Sequence, residues 1–98
     1  MRKIRNASLE VPLPGFEEFH DEFLATRKVE LIVLNEALGR QEFQVLSGYA
    51  HKWRGFSAPY GFQELGELAN ELEEQALGEN TQSCEDILKR VADYLGAN

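Results

Sequence analysis

His51 lies in the run Ala50-His51-Lys52-Trp53-Arg54-Gly55-Phe56-Ser57-Ala58, with Gly61 ten residues after it. An imidazole titrates near neutral pH and offers one free ring nitrogen as base or nucleophile whenever the other holds the proton. Wound on a helix at about 100° per residue, the segment separates into two faces. Phe43, Val45, Leu46, Tyr49, Ala50, Trp53 and Phe56 share one arc. His51 points the other way, with Gln44, Ser47, Gly48, Arg54 and Gly55 around it. The imidazole is therefore expected in solvent, with a cation at i+3 and bare backbone at i−3 and i+4. Each glycine inside a helix costs about 1 kcal/mol relative to alanine. That cost is intelligible if something has to come close to the ring.

The distribution of charge supports an anionic visitor. The chain carries a formal net charge of −7, which argues against nucleic acid, whose phosphates need a basic surface. Between Arg40 and Lys89 the only basic residues are Lys52 and Arg54, both beside His51, against nine carboxylates. A small positive island in an acidic protein suits a doubly charged phosphoryl group. Without the histidine between them, two solvated cations on a helix face would be the simpler reading.

Ninety-eight residues make one domain with a single core, too small to hold a nucleotide-binding catalytic domain as well. The longest apolar run, Leu31 to Leu34, is far too short to span a membrane. Met1-Arg2-Lys3-Ile4-Arg5 is basic like the start of a signal peptide, yet no apolar segment follows. The expected location is the cytoplasm, which also suits a chain with one cysteine, Cys84. Cys84 reads as a small helix residue.

Four helices must position the histidine. Residues 1–15 form a short N-terminal arm that ends in Pro14-Gly15, a signal for a helix start just beyond it. The first helix is expected over 16–38, with Glu17, Glu18, Asp21 and Glu22 near its positive end. Phe16, Phe19, Phe23, Leu31, Leu34 and Leu38 form its apolar stripe, and Arg27 interrupts the stripe and should snorkel at its edge. A break at Gly39-Arg40 leads to the histidine helix, 41–57, and Ala58-Pro59-Tyr60-Gly61 is a turn. From Phe62 a third helix puts Leu65, Leu68, Ala69, Leu72 and Ala76 inward and Glu64, Glu67, Glu71 and Glu74 outward, until Gly78 ends it. Asn80 to Ser83 offers several N-caps, and Ser83 with Asp86 reads as a capping box. Ile87, Leu88, Val91 and Leu95 then close the core. The expectation is an all-α, antiparallel up-down-up-down four-helix bundle over 16–98.

The pattern His51-x-x-Arg54-Gly55, with Gly61 ten residues after the histidine, resembles the histidine-containing phosphotransfer (HPt) domain of two-component phosphorelays. Leu31-x-x-Leu34-x-x-Ala37-Leu38 looks like that family's helix before the histidine, and Leu65-x-x-Leu68-Ala69-x-x-Leu72-Glu73 like the one after it. The resemblance covers residues 16 to 95. The family most often has lysine at the position of Arg54 and a small residue at that of Phe56. Arginine keeps the charge and adds a planar fork suited to phosphate oxygens, and Phe56 lies on the apolar arc.

The resemblance implies a phosphocarrier. His51 would accept a phosphoryl group from an aspartate on a response-regulator receiver domain and pass it to another receiver, with a hybrid histidine kinase as a possible further partner. Arg54, and less directly Lys52, would steady the phosphoryl oxygens, while Ser47, Gly48, Gly55 and Gly61 would form the surface the partner enters. The family usually places glutamine or glutamate 22 residues after the histidine. Here that is Glu73, which would accept a hydrogen bond from Nδ1–H of His51 and leave Nε2 as nucleophile. The alternative is one more solvated glutamate. No cofactor is implied for this chain, because Mg²⁺ would sit on the receiver, and the chain would act as a monomer without nucleic-acid or membrane partners.

His20, in Phe19-His20-Asp21-Glu22, lacks flanking glycines and cations and reads as an ordinary surface histidine. Two histidines 31 residues apart and one cysteine match no metal-ligand spacing, and a Cys84–histidine nucleophile pair has no local motif. With no glycine-rich ATP-binding sequence, an autophosphorylating kinase fragment is disfavoured. The competing function is a helical adaptor that binds a receiver without exchanging phosphate. The initiating methionine and the closed last helix suggest a free-standing protein.

Overall fold

Short links decide the topology. A computed structural model of the chain describes residues 19–96, in which α1 is His20–Gly39, α2 Phe43–Ser57, α3 Gln63–Leu77 and α4 Thr81–Leu95. Links of three to five residues leave consecutive helices no choice but to turn back on one another. α2 packs on α1 and α3, and α4 closes the ring against α3 and α1, so α1 and α3 lie diagonally across the bundle. This is an all-α four-helix bundle, with no strand among the described residues. The expected arm, together with Phe16, Glu17 and Glu18, lies outside them.

The expected core positions are buried with one exception among the described residues: Phe19, expected in the stripe of the first helix, is 42% exposed, because it stands at the open end of the bundle where α1 begins. Leu31, Leu34 and Leu38 of α1 meet Leu46, Ala50 and Trp53 of α2, then Leu65, Leu68, Ala69, Leu72 and Ala76 of α3 and Ile87, Leu88, Val91 and Leu95 of α4. Trp53 is wholly buried, and its indole Nε1–H donates to Oε1 of Glu30 at 2.8 Å. At the end of the bundle where α1 begins, Phe62 stacks on Phe23 at 4.5 Å between ring centroids.

Arg27 does not snorkel. Only 7% exposed, its guanidinium lies 4.6 Å from the centroids of both the Phe23 and the Phe56 rings. Nε is 2.6 Å from Oε1 of Glu30, the oxygen that also accepts from Trp53. Two aromatic faces and one carboxylate replace the water a buried cation would otherwise need. Glu64, expected on the outer face of α3, is also buried. It sits on the flank of α3 turned towards α4, the flank from which Glu71 reaches Arg90 at 3.2 Å. His20 is half-buried rather than freely exposed, its ring centroid 5.1 Å from that of Phe62.

Helix ends differ from expectation for backbone reasons. α1 is described from His20, with Phe19 before it, and the expected start at residue 16 lies outside the described residues. α2 begins at Phe43, not Gln41, because Gln41 has φ +56° and cannot be helical. Gln41 N–H donates to the Leu38 carbonyl at 2.9 Å and Glu42 N–H to that of Ala37 at 2.8 Å. This is a Schellman closure with glutamine in the left-handed position usually held by glycine. α3 ends the same way: Glu79, at φ +54°, holds the left-handed position and Gly78 stands one residue too early. α4 is capped by Asn80, whose side chain accepts from Ser83 N–H at 3.2 Å. Ser83 is thereby inside the helix and no capping box forms with Asp86, whose Oδ1 accepts from Gln82 instead.

Left-handed geometry costs a non-glycine residue about 1–2 kcal/mol, partly offset by the greater freedom glycine has in the unfolded chain. Gln41→Gly and Glu79→Gly, both at exposed positions, should therefore each stabilise the bundle by about 0.5–1 kcal/mol. In thermal unfolding followed by circular dichroism this reads as a rise in Tm of a few degrees each, roughly additive for the pair.

Candidate functional site

The inward stripe of α2, Leu46, Ala50, Trp53 and Ser57, fixes where the rest of that helix points. His51 and Arg54 fall on the flank turned towards α3. The facing flank of α3 carries Gly66, Asn70 and Glu73, spaced four and three residues apart so that they line one edge. The two helices come close at Ser57, where a Cβ placed on Gly66 would stand 3.7 Å from the serine Cβ.

Across this seam the side chains meet. Nδ1 of His51 is 3.0 Å from Oε2 of Glu73. A carboxylate can only accept, so the contact puts the ring proton on Nδ1 and leaves the Nε2 lone pair free. The His51 side chain is 66% exposed and that of Glu73 only 16%. The carboxylate is thus held in the seam while the ring stands out from it. Oε1 of Glu73 takes a second partner, Nη1 of Arg54 at 3.2 Å. The same guanidinium nitrogen donates to Oδ1 of Asn70 at 3.1 Å. One carboxylate therefore orients an imidazole with one oxygen and a guanidinium with the other.

Gly48 and Gly55 are exposed, and an added Cβ at either would meet nothing within 4 Å. Packing does not require these two glycines. They leave open surface one turn before and one turn after the ring. Gly61 has a different position: at φ +90° it closes the last turn of α2, with its N–H donating to Ala58 and that of Phe62 to Ser57. It lies ten residues beyond His51, roughly 15 Å along the helix axis, so its place is in the turn and not beside the ring.

Ser47 is half-buried and its hydroxyl donates to the Gln44 carbonyl at 3.2 Å, an internal bond of the helix. Lys52 is exposed, with its ammonium 5.9 Å from the centroid of the Tyr49 ring, on the opposite flank from Glu73. The positive island is therefore divided: Arg54 is tied into the seam, and Lys52 stands apart from it. Cys84 is buried in α4, where burial pushes its thiol pKa up, and nothing brings it to His51. Among the described residues no group of three or more histidine, cysteine or acidic side chains is arranged to hold a metal ion. No helix among them is long and apolar enough to cross a membrane.

The residue that sequence reasoning missed is Asn70. Its only signal is its place three residues before Glu73 on the same edge of α3, which does not reveal that Arg54 reaches across to it. No family model, curated protein or solved structure matches the chain. What is defined is a class, a four-helix bundle bearing one exposed histidine, held through Nδ1 by a carboxylate, between bare glycines.

If Glu73 fixes the ring proton, its removal should be visible without any partner. In ¹⁵N–¹H correlation spectra above the histidine pKa, His51 of the wild type should show protonated Nδ1 and unprotonated Nε2. Glu73→Ala should shift the ring towards the Nε2–H form, while changing stability by no more than about 1 kcal/mol, because the pair is half in solvent. An unchanged tautomer in the variant would remove Glu73 from the role.

Proposed function

We propose that the chain is a histidine phosphocarrier of the HPt type, taking a phosphoryl group from a receiver-domain aspartate onto His51 and handing it to another receiver. The observation that carries this reading is the exposed His51 ring with Nδ1 held by Glu73 at 3.0 Å. An exposed imidazole with one nitrogen pinned and the other free is an acceptor, and its setting between Gly48 and Gly55 gives a large partner room to approach.

The Nε2 lone pair attacks phosphorus as the bond from phosphorus to the aspartyl oxygen breaks, and the aspartate leaves as carboxylate. The ring, still carrying its Nδ1 proton, becomes cationic, and the Glu73 carboxylate beside it stabilises that charge. Arg54 is within reach of the same region and is the side chain best suited to the equatorial phosphoryl oxygens. Catalysis by this chain is positioning and local charge, as phosphoryl transfer requires little covalent help. The Mg²⁺ would belong to the receiver. Such exchanges place the protein in the cytoplasm, with response-regulator receivers and a hybrid kinase as partners, and with no chemistry of its own on ATP.

One observation favours the adaptor reading instead. Arg54 is already engaged by Glu73 and Asn70, so binding phosphate requires those contacts to loosen. The two readings separate in one assay, incubation with a phosphorylated receiver followed by measurement of acid-labile phosphate on this chain. A carrier takes the label and an adaptor does not.

His51→Gln should abolish the label with helical content unchanged, and His20→Gln should keep it. Gly55→Leu should unfold at the wild-type temperature or slightly higher, since leucine is the better helix former by several tenths of a kcal/mol and meets open space. Its transfer from a phosphorylated receiver should nevertheless fall at least tenfold, roughly the effect of 1.4 kcal/mol on the barrier. Labelling by phosphoramidate, a small donor, should fall much less. Wild-type rates from the receiver in a folded Gly55→Leu protein would show that this surface is not where the receiver docks.

A further inference from the structure

α1 is apolar on two sides. One side, Phe23, Leu31, Leu34, Ala37 and Leu38, is buried in the bundle. The other presents Val29 at 63% exposure, Ile32 at 60% and Val33 at 40%, three of the five large exposed hydrophobic residues among those described. Ala25, Val29, Ile32 and Glu36 follow one another at spacings of four, three and four, the heptad spacing by which one helix packs along another. A surface helix normally shows one apolar stripe, so a second one calls for something to cover it.

The charges at its two ends say what. Glu22 and Arg40 lie on the same face as Val29, nine residues below and nine above the level of Leu31. Both are exposed, and neither has a side-chain ion pair among the described residues. A second copy of α1 laid antiparallel, about a twofold axis at the level of Leu31, brings Glu22 of each chain opposite Arg40 of the other. The same axis sets Val29 against Val33 and closes Ile32 over the centre. A parallel arrangement would instead oppose Glu22 to Glu22 and Arg40 to Arg40. The face is complementary to itself in one orientation, as a twofold interface has to be.

We propose that this face of α1 is a self-association surface through which two copies of the chain pair antiparallel. An interface confined to one helix per chain, about 30 Å long, falls short of the roughly 1,600 Å² of a standard stable complex. The dimer therefore forms at high concentration, and the monomer expected from the sequence is its dilute form. Because α3 lies across the bundle from α1, the seam with His51 and Glu73 is directed away from the axis, and both copies keep it open. The inference does not depend on phosphotransfer.

Sedimentation equilibrium on the full chain, from about 1 μM to about 1 mM, spans the range in which a weak interface of this kind associates. The wild type should pass from monomer to dimer across that range. Ile32→Asp should weaken association by at least about tenfold with an unchanged circular dichroism spectrum, since the site is exposed. Glu22→Arg should weaken it too, by like-charge opposition. Glu22→Arg combined with Arg40→Glu should restore it, a rescue that only the antiparallel register predicts. A wild type that stays monomeric throughout overturns the proposal, as would be found if residues 1–18 cover this face instead. So does a dimer indifferent to Ile32→Asp, or a charge exchange that fails to restore pairing.

Discussion

The rotation of α2 about its own axis depends on Trp53. The indole is the largest fully buried side chain, and its one polar atom has one acceptor, Glu30 Oε1, on the neighbouring helix. A large planar group with a directional bond in a dry interface leaves the helix few rotational settings, because any turn either opens a cavity or strands the N–H. Glu30 is itself held by Arg27, and Arg27 by the rings of Phe23 and Phe56. With Trp53 pointing at α1, a residue two positions earlier lies about 200° round the helix and must face away from α1. That residue is His51. The exposure of the imidazole is thus set by a polar contact on the far side of its own helix.

A second constraint sets how near the ring comes to its carboxylate. Glu73 is a short reach from α2 because the two helices approach closely, with Gly66 facing the small Ser57, where even an added Cβ would make an ordinary contact at 3.7 Å. The carboxylate then divides its two oxygens between His51 and Arg54. On the phosphocarrier reading this arrangement has a consequence. The cation that would meet the phosphoryl group is parked on the same anion that fixes the ring. Its release from Glu73 and Asn70 would leave that carboxylate to the ring alone, just as the ring gains positive charge. Arginine suits such a shift because its fork can keep one partner while exchanging another.

The core was legible because helical periodicity survives in each segment. Every inward leucine expected on α3 and α4 is buried, and α2 turns the expected face outward. The failures have two physical causes: side-chain partners contributed by another helix, and left-handed helix closures made without glycine. Arg27 read as an edge residue because the ring that covers its other side, Phe56, comes from α2, although Phe23 and Glu30 are on its own helix. Glu64 read as solvated because its burial depends on α4 lying over that flank. Gln41 and Glu79 went unnoticed because a left-handed residue is normally announced by glycine, and here Gly39 and Gly78 lie ahead of the position that needs one. At the site, His51, Arg54 and the open glycines follow from one helix. The Glu73 contact was expected only through resemblance, and Asn70 was invisible.

The two exposed faces of the bundle differ in the way their proposed tasks require. Around His51 the surface is glycine, serine, a carboxylate and cations, with little apolar area to bury. A partner that docks there is steered by charge and released readily, because desolvating polar groups returns little net affinity. The outer face of α1 is the reverse, valine and isoleucine at the centre with Glu22, Glu36 and Arg40 towards its ends, which suits contacts that persist once formed. If both chemistries shared one face, apolar adhesion would slow the exchange of partners at the histidine. With the histidine at the seam of α2 with α3 and the apolar face on the outer side of α1, each can be tuned alone.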